Sequence, residues 1–230
     1  MGGPRSRARR LDPNRHGADA WGKLRGAFHR ARGRASNGNR AEVVHDNGDR
    51  AGSEVWYRWS FLIPNDFVDV EWKPQLWQCI GQWHDQPDKS RGESWADFPG
   101  RSPSVAVYYT SKDGASAIEI WSGTYAKNAA QKIVATAPIA KGVWQDITFH
   151  VRWSQGDDGF VEPFLNGAPL IAPDENEHRA CGPNMWNDAS HYLKIGLYRS
   201  SEIQGANSVY FDEVRIGSSR ASVAPAEVRP

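Results

Sequence analysis

The sequence predicts an all-β jelly roll, a two-sheet antiparallel sandwich with a concave groove on one outer face. Three observations carry that expectation. Apolar and polar residues alternate with period two over about ten segments. Turn-forming clusters separate those segments. Helical periodicity is weak throughout, with Tyr125 to Ile133 as a short helical candidate.

Taken in order, strands are expected at 41–45, 54–63, 76–84, 104–110, 117–122, 146–153, 159–165, 190–199 and 208–216. In Glu54 to Ile63 the row Tyr57, Trp59, Phe61, Ile63 opposes Arg58 and Ser60. In Asp146 to Trp153 the row Ile147, Phe149, Val151, Trp153 opposes Thr148, His150 and Arg152. In Tyr192 to Tyr198 the aliphatic row Leu193, Ile195, Leu197 reads as core, leaving Tyr192, Lys194 and Tyr198 on the other face. Ile63-Pro64-Asn65-Asp66, Lys112-Asp113-Gly114 and Asn166-Gly167 are the turns, the last with type I′ chemistry. The loops 85–103 and 172–189 are long, polar and adjacent to the segments of greatest chemical interest.

Charge divides the chain. Residues 1–40 carry 11 Lys/Arg against Asp12 and Asp19, a net of +9, which leaves −8 on the remainder of a chain whose overall charge is +1. Residues 1–37 are read as a basic, poorly ordered arm rather than a nucleic-acid-binding segment, residues 38–217 as one jelly-roll domain and 218–230 as a tail. No stretch approaches the roughly 20 apolar residues of a membrane span. The N-terminus lacks the apolar core of a secretory signal. Cys79 and Cys181 are too few for a metal site; they either pair as a disulfide or stay as separate buried thiols.

Three short motifs share one kind of chemistry: Arg40-Ala-Glu42, Gln82-Trp-His84 and Tyr192-Leu-Lys-Ile-Gly-Leu-Tyr198. Residues two apart on a strand share a face, so an amide, an imidazole, a phenol and an ammonium face one way. Such a set suits an anionic, hydroxyl-rich ligand. The constellation resembles the β-jelly-roll polysaccharide lyases of concanavalin-like fold, including alginate, glucuronan and heparin I-type lyases. Trp56 to Pro64, Trp144-Gln-Asp, Leu165-Asn-Gly and Val209 to Gly217 resemble further strands of those families, so the likeness spans roughly residues 38–217. The motifs depart from alginate lyases at Arg40-Ala-Glu-Val-Val44 and Tyr198-Arg-Ser200, which favours glucuronan or a heparin-like glycan.

The resemblance implies β-elimination on a uronate polymer, leaving 4,5-unsaturated ends. His84, Tyr192, Gln82 and Arg40 would be catalytic: Arg40 and Gln82 on the substrate carboxylate, His84 as base and Tyr192 as acid, or Tyr192 as both. Glu42, Lys194, Tyr198 and Arg58 would bind substrate. No cofactor is required. Asp212, on the last strand, is either a ligand of a structural calcium remote from the cleft or a surface carboxylate. The expected partner is an acidic polysaccharide, the protein a monomer with an extracellular or periplasmic site of action and an incomplete N-terminus. A non-catalytic glycan-binding module of the same fold is the alternative. Nucleophile-elbow, phosphate-loop and dinucleotide motifs do not occur in the sequence, nor does the Glu-x-Asp-x-x-Glu run of laminarinase-type hydrolases.

Overall fold

The computed structural model describes residues 39–46, 48–71, 73–100, 102–123, 131–171 and 178–225 with side chains, and the backbone of 26–30. Among the described residues there are thirteen strands. They are β1 (Gly26–Arg30), β2 (Asn39–Asp46), β3 (Glu54–Leu62), β4 (Gln78–His84), β5 (Val105–Lys112), β6 (Ala115–Ser122) and β7 (Lys132–Ile139). The remainder are β8 (Gln145–Arg152), β9 (Phe160–Leu165), β10 (Ala168–Pro169), β11 (Ala180–Cys181), β12 (Tyr192–Arg199) and β13 (Asn207–Gly217). They form two antiparallel sheets. The first runs β1-β13-β3-β8-β9-β10, with β11 also on β9; the second runs β2-β12-β4-β5-β6-β7. This is the two-layered sandwich that the alternation predicts.

Between the sheets, the inward rows meet in one core. Tyr57, Trp59, Phe61, Ile147, Phe149 and Val151 come from the first sheet, and Trp83, Val107, Ile118, Ile120, Leu193 and Leu197 from the second. Trp59 stacks on Phe149 at 5.4 Å, and Trp83 meets Phe149 edge-on at 4.9 Å. Large rings fit because Gly81, on β4, has no side chain: a Cβ there would stand 3.0 Å from Trp59. Each fully buried apolar side chain contributes about 1.5–3 kcal/mol, so this layer fixes which face of β4 and β12 looks outward.

Turn chemistry acts as read. Asp113 and Gly114 (φ 51° and 79°) close β5–β6, and Asn166 and Gly167 (φ 51° and 82°) close β9–β10. Both pairs have the two positive φ angles of a type I′ turn.

Several expectations change. Gly26–Arg30, inside the expected basic arm, pairs with β13 as an edge strand; residues 1–25 and 31–37 of that arm lie outside the described residues, as do 226–230 of the tail. Most of the helical candidate, residues 125–130, is also outside them, and Lys132 and Ile133 open a strand instead. That strand, β7, has an inward row of only Ala135, Ala137 and Ile139, too small to signal periodicity. It tolerates Pro138 because it lies at the sheet edge. Cys79 is buried in the second sheet and Cys181 exposed in the first; neither is in a disulfide. Among the described residues, no helix is long and apolar enough to cross a membrane.

Candidate active site

The outer face of the second sheet carries the three motifs on three adjacent strands. Strand pairing arranges them in rows. Lys194 faces Val44 on one side and Gln82 on the other, and Gln82 faces Ala106. Two levels along, past Gly196, Tyr198 faces Arg40 and Cys79, and Cys79 faces Tyr108. At the other end Tyr192 lies opposite both His84 and Asp46. Arg40, Gln82, His84, Lys194 and Tyr198 thereby line a cleft of about 590 Å3, together with Trp77, Tyr108 and Trp121.

Gly196 makes this convergence possible. Its φ of 152° accompanies a shift of register on β12, and a Cβ there would meet the Ala41 carbonyl oxygen at 2.2 Å. Only glycine lets β2 approach so closely. Glu42, opposite Gly196, then reaches past it to Gln82. The Gln82 Nε2 donates to Glu42 Oε1 at 2.5 Å, and Arg40 stands 3.9 Å from Glu42. Glu42 thus orients the amide while Arg40 also lies over the Tyr198 ring at 5.2 Å.

His84 is held from one side. Its Nδ1 is 2.9 Å from the Asp85 carbonyl oxygen and 3.0 Å from Asp85 Oδ1. Both neighbours are acceptors, so Nδ1 carries the proton and Nε2 the lone pair of the neutral ring. The carboxylate contact is electrostatic rather than a well-aligned hydrogen bond, since Oδ1 gains no hydrogen bond from it. The Tyr192 ring lies nearly parallel to His84, centroids 5.7 Å apart, and Lys194 Nζ is 4.9 Å from the Tyr192 centroid.

Burial dominates the electrostatics. It pushes the Tyr192 phenol up to about 12, helped by the negative charges of Asp85 and Glu42 and opposed by Arg40. It pulls Lys194 below the usual lysine value, with Glu42 opposing and Arg40 assisting. It raises Glu42, against Lys194, Gln82 and Arg40. At neutral pH the Tyr192 phenol beside His84 is therefore protonated.

The entry to β12 is anchored from below. His191 is fully buried, stacks on Trp153 at 4.3 Å, and has its Nε2 3.0 Å from Ser104 Oγ. The two long loops bind each other above the site, with Arg91 on Asp188 at 2.9 Å and Asn187 Nδ2 donating to Glu93 Oε2 at 2.8 Å. They present the exposed Trp95 edge-on to Tyr192 at 6.4 Å.

Residues 5–215 match the polysaccharide lyase family model. The chain belongs to this family. No curated protein matches. Among solved structures, an endo-β-1,4-glucuronan lyase from the fungus Trichoderma reesei is 22% identical, with 88% of this chain and 84% of that one covered and a TM-score of 0.61. An alginate lyase from Pseudomonas aeruginosa is 16% identical over 81% and 77%, with a TM-score of 0.51. Both likenesses are of fold.

In this polysaccharide lyase, seven of the residues singled out from sequence stand on one face: Arg40, Glu42, Gln82, His84, Tyr192, Lys194 and Tyr198. Arg58 does not join them. It belongs to β3 of the other sheet, is 5% exposed, and pairs with Asp146 at 2.9 Å. Asp212 accepts the Glu213 N–H at 2.9 Å, and among the described residues no group of three or more His, Cys, Asp or Glu is gathered to hold a metal. Asp85, Trp77, Tyr108 and Trp121 escaped the sequence reading. Asp85 had a signal, a carboxylate directly after the histidine; the three rings did not, because alternation alone cannot say which aromatic residues of a half-buried strand face a cleft.

Proposed function

We propose that the lyase cleaves β-1,4-linked glucuronan, with His84 as base and Tyr192 as acid. The observation that carries this reading is the pairing of Tyr192 with His84, which brings both rings to the substrate from the same side. In D-glucuronate the C5 hydrogen and the O4 leaving group lie on one face of the sugar; in the C5 epimer they lie on opposite faces. A base and an acid side by side suit the first arrangement. The fold shared with an endo-β-1,4-glucuronan lyase supports the same choice.

The chemistry follows from the contacts. Arg40 and Gln82 bind the uronate carboxylate and stabilise the enolate-like charge that grows as C5–H breaks. His84 Nε2 accepts that proton, and Asp85 stabilises the resulting imidazolium across 3.0 Å. The electron pair forms the C4=C5 double bond, the C4–O4 bond breaks, and the departing oxygen takes the Tyr192 proton. That oxygen becomes the hydroxyl of a new reducing end. Tyr192 is fit to donate because it is held protonated at neutral pH. Lys194, Tyr198 and Glu42 position the substrate and the catalytic amide. Polymeric uronates are met outside the cell, so the reading includes an extracellular or periplasmic monomer.

Near-ultraviolet absorbance of the unsaturated product, screened over glucuronan, alginate, heparin and heparan sulfate, tests the substrate. Glucuronan is expected to react fastest. Preferential cleavage of polyguluronate, whose C5 hydrogen lies on the opposite face, would overturn it.

A further inference from the structure

The cleft continues beyond the groups used in the elimination. The row of Lys194 and Gln82 passes through Ala106 to Trp121 on β6. Three strand spacings separate Lys194 from Trp121, about 14 Å, which is more than one sugar ring spans. Ala106, the smallest side chain in the row, is fully buried between the two ends, and a single cleft is lined by Gln82 and Lys194 at one end and Trp121 at the other. Trp121 is half-buried and lines the cleft. Its Nε1 donates to Glu119 Oε2 at 2.9 Å, which fixes the ring plane, and Tyr108 backs it edge-on at 5.8 Å. An indole whose polar edge is already satisfied offers a ligand only its π face.

We infer that Trp121 is the floor of a distal glycosyl subsite that takes an unsulfated pyranose ring of the same polymer. The inference rests on the reading of the site as a glucuronan-type lyase. The C–H face of a pyranose stacks on the indole. Glu119 shares the outer face with Trp121 and stands opposite Tyr108 and Thr136. Its carboxylate accepts from a ring hydroxyl and repels a sulfate ester at the same position. Glu119 therefore separates glucuronan from heparin-like glycans, a choice that the catalytic motifs alone leave open.

Binding of long-chain glucuronan is measured by calorimetry on the full chain carrying Tyr192→Phe, so that turnover does not interfere. Adding Trp121→Ala is expected to weaken binding about tenfold, the scale of one lost apolar contact face; Trp121→Phe, which keeps a stacking face, recovers most of it. Adding Glu119→Gln is expected to raise affinity for chemically sulfated glucuronan while leaving the unsulfated polymer within about twofold. Thermal midpoints check that each variant is folded. Trp121→Ala binding within twofold of its parent would overturn the subsite, and cleavage of glucuronan by the unsubstituted enzyme would then show the lyase reading still standing. If the unsubstituted protein neither binds nor cleaves glucuronan, both fall.

Discussion

The two outer faces of the sandwich are built from the same residue types and arrange them in opposite ways. On the first sheet, the row Trp56, His150, Glu162 runs across three strands. His150 Nε2 lies 2.7 Å from Glu54 and Nδ1 2.8 Å from Glu162, while Trp56 stacks on the ring at 4.1 Å. Arg58 meets Asp146 at 2.9 Å, and Arg152 meets Asp158 at 3.1 Å. Each cation there has an anion close by. On the second sheet, Arg40 stands 3.9 Å from Glu42, at the limit of an ion pair, and Lys194 lies over a tyrosine ring. The cleft holds its cations near a carboxylate without pairing them closely, which on the proposed reading keeps their charge for an anionic ligand. A histidine and an arginine on a strand therefore signal a site only where the neighbouring strands do not neutralise them.

The largest effects expected of this difference are on the cleft face. Tyr192→Phe removes the proton donor while keeping the ring against His84. Acid–base contributions of about 10²–10⁴-fold are typical, and a kcat loss in that range is expected with an unchanged thermal midpoint. His84→Ala should match it; a much milder loss would assign both proton transfers to Tyr192. Near-normal turnover in Tyr192→Phe would remove the mechanism altogether. Gln82→Ala should lower kcat about 10²-fold, with a smaller effect on KM, because its hydrogen bond strengthens as the enolate forms. Glu42→Gln weakens the orientation of that amide and should cost about tenfold in kcat, separable by steady-state kinetics from any change in affinity.

On the opposite face the same kinds of substitution should reverse their signature. Arg58→Ala deletes a buried guanidinium beside Asp146 and is expected to cost about 1–3 kcal/mol in urea unfolding. Activity per folded molecule should stay within about twofold of the parent. A loss of turnover without a loss of stability would place Arg58 in function after all, and would break the contrast between the faces.

The place of Arg58 on the opposite sheet explains how much the sequence can show. Alternation located the core rows on β3, β8 and β12 because it reports which face of a strand is buried, a property of one segment. Motif spacing brought Gln82 next to His84 and Tyr192 next to Lys194 for the same reason. Nothing within Tyr57-Arg58-Trp59 states which sheet its strand joins; that depends on β3 pairing with β8 and β13. Trp121 and Tyr108 were invisible as cleft residues on the same ground. β7 was missed because its inward alanines carry almost no amphipathic signal, and β1 because its pairing to β13 spans nearly the whole chain. Where position relies on local periodicity the sequence is legible; where it relies on long-range pairing it is not.

The smallest expected effect concerns pH and separates the two titrating groups that touch in the cleft. Burial moves them in opposite directions: Lys194 is lowered from 10.5, and Tyr192 is raised to about 12. As pH rises, Lys194 loses its proton first. Its cationic form is the one that draws a polyanion, so that contribution is complete below the lowered value and disappears as pH climbs through it. Tyr192 keeps its donor proton over the same interval. The alkaline limb of kcat/KM therefore belongs to Lys194. Lys194→Arg retains the charge and should shift the limb upward, with about threefold more of the activity surviving at pH 10. The comparison is made at fixed low ionic strength, because a polyanion's attraction to a partly buried cation weakens with salt. Superimposable limbs in the two enzymes would assign the titration to another group and leave Lys194 with a packing role against the Tyr192 ring.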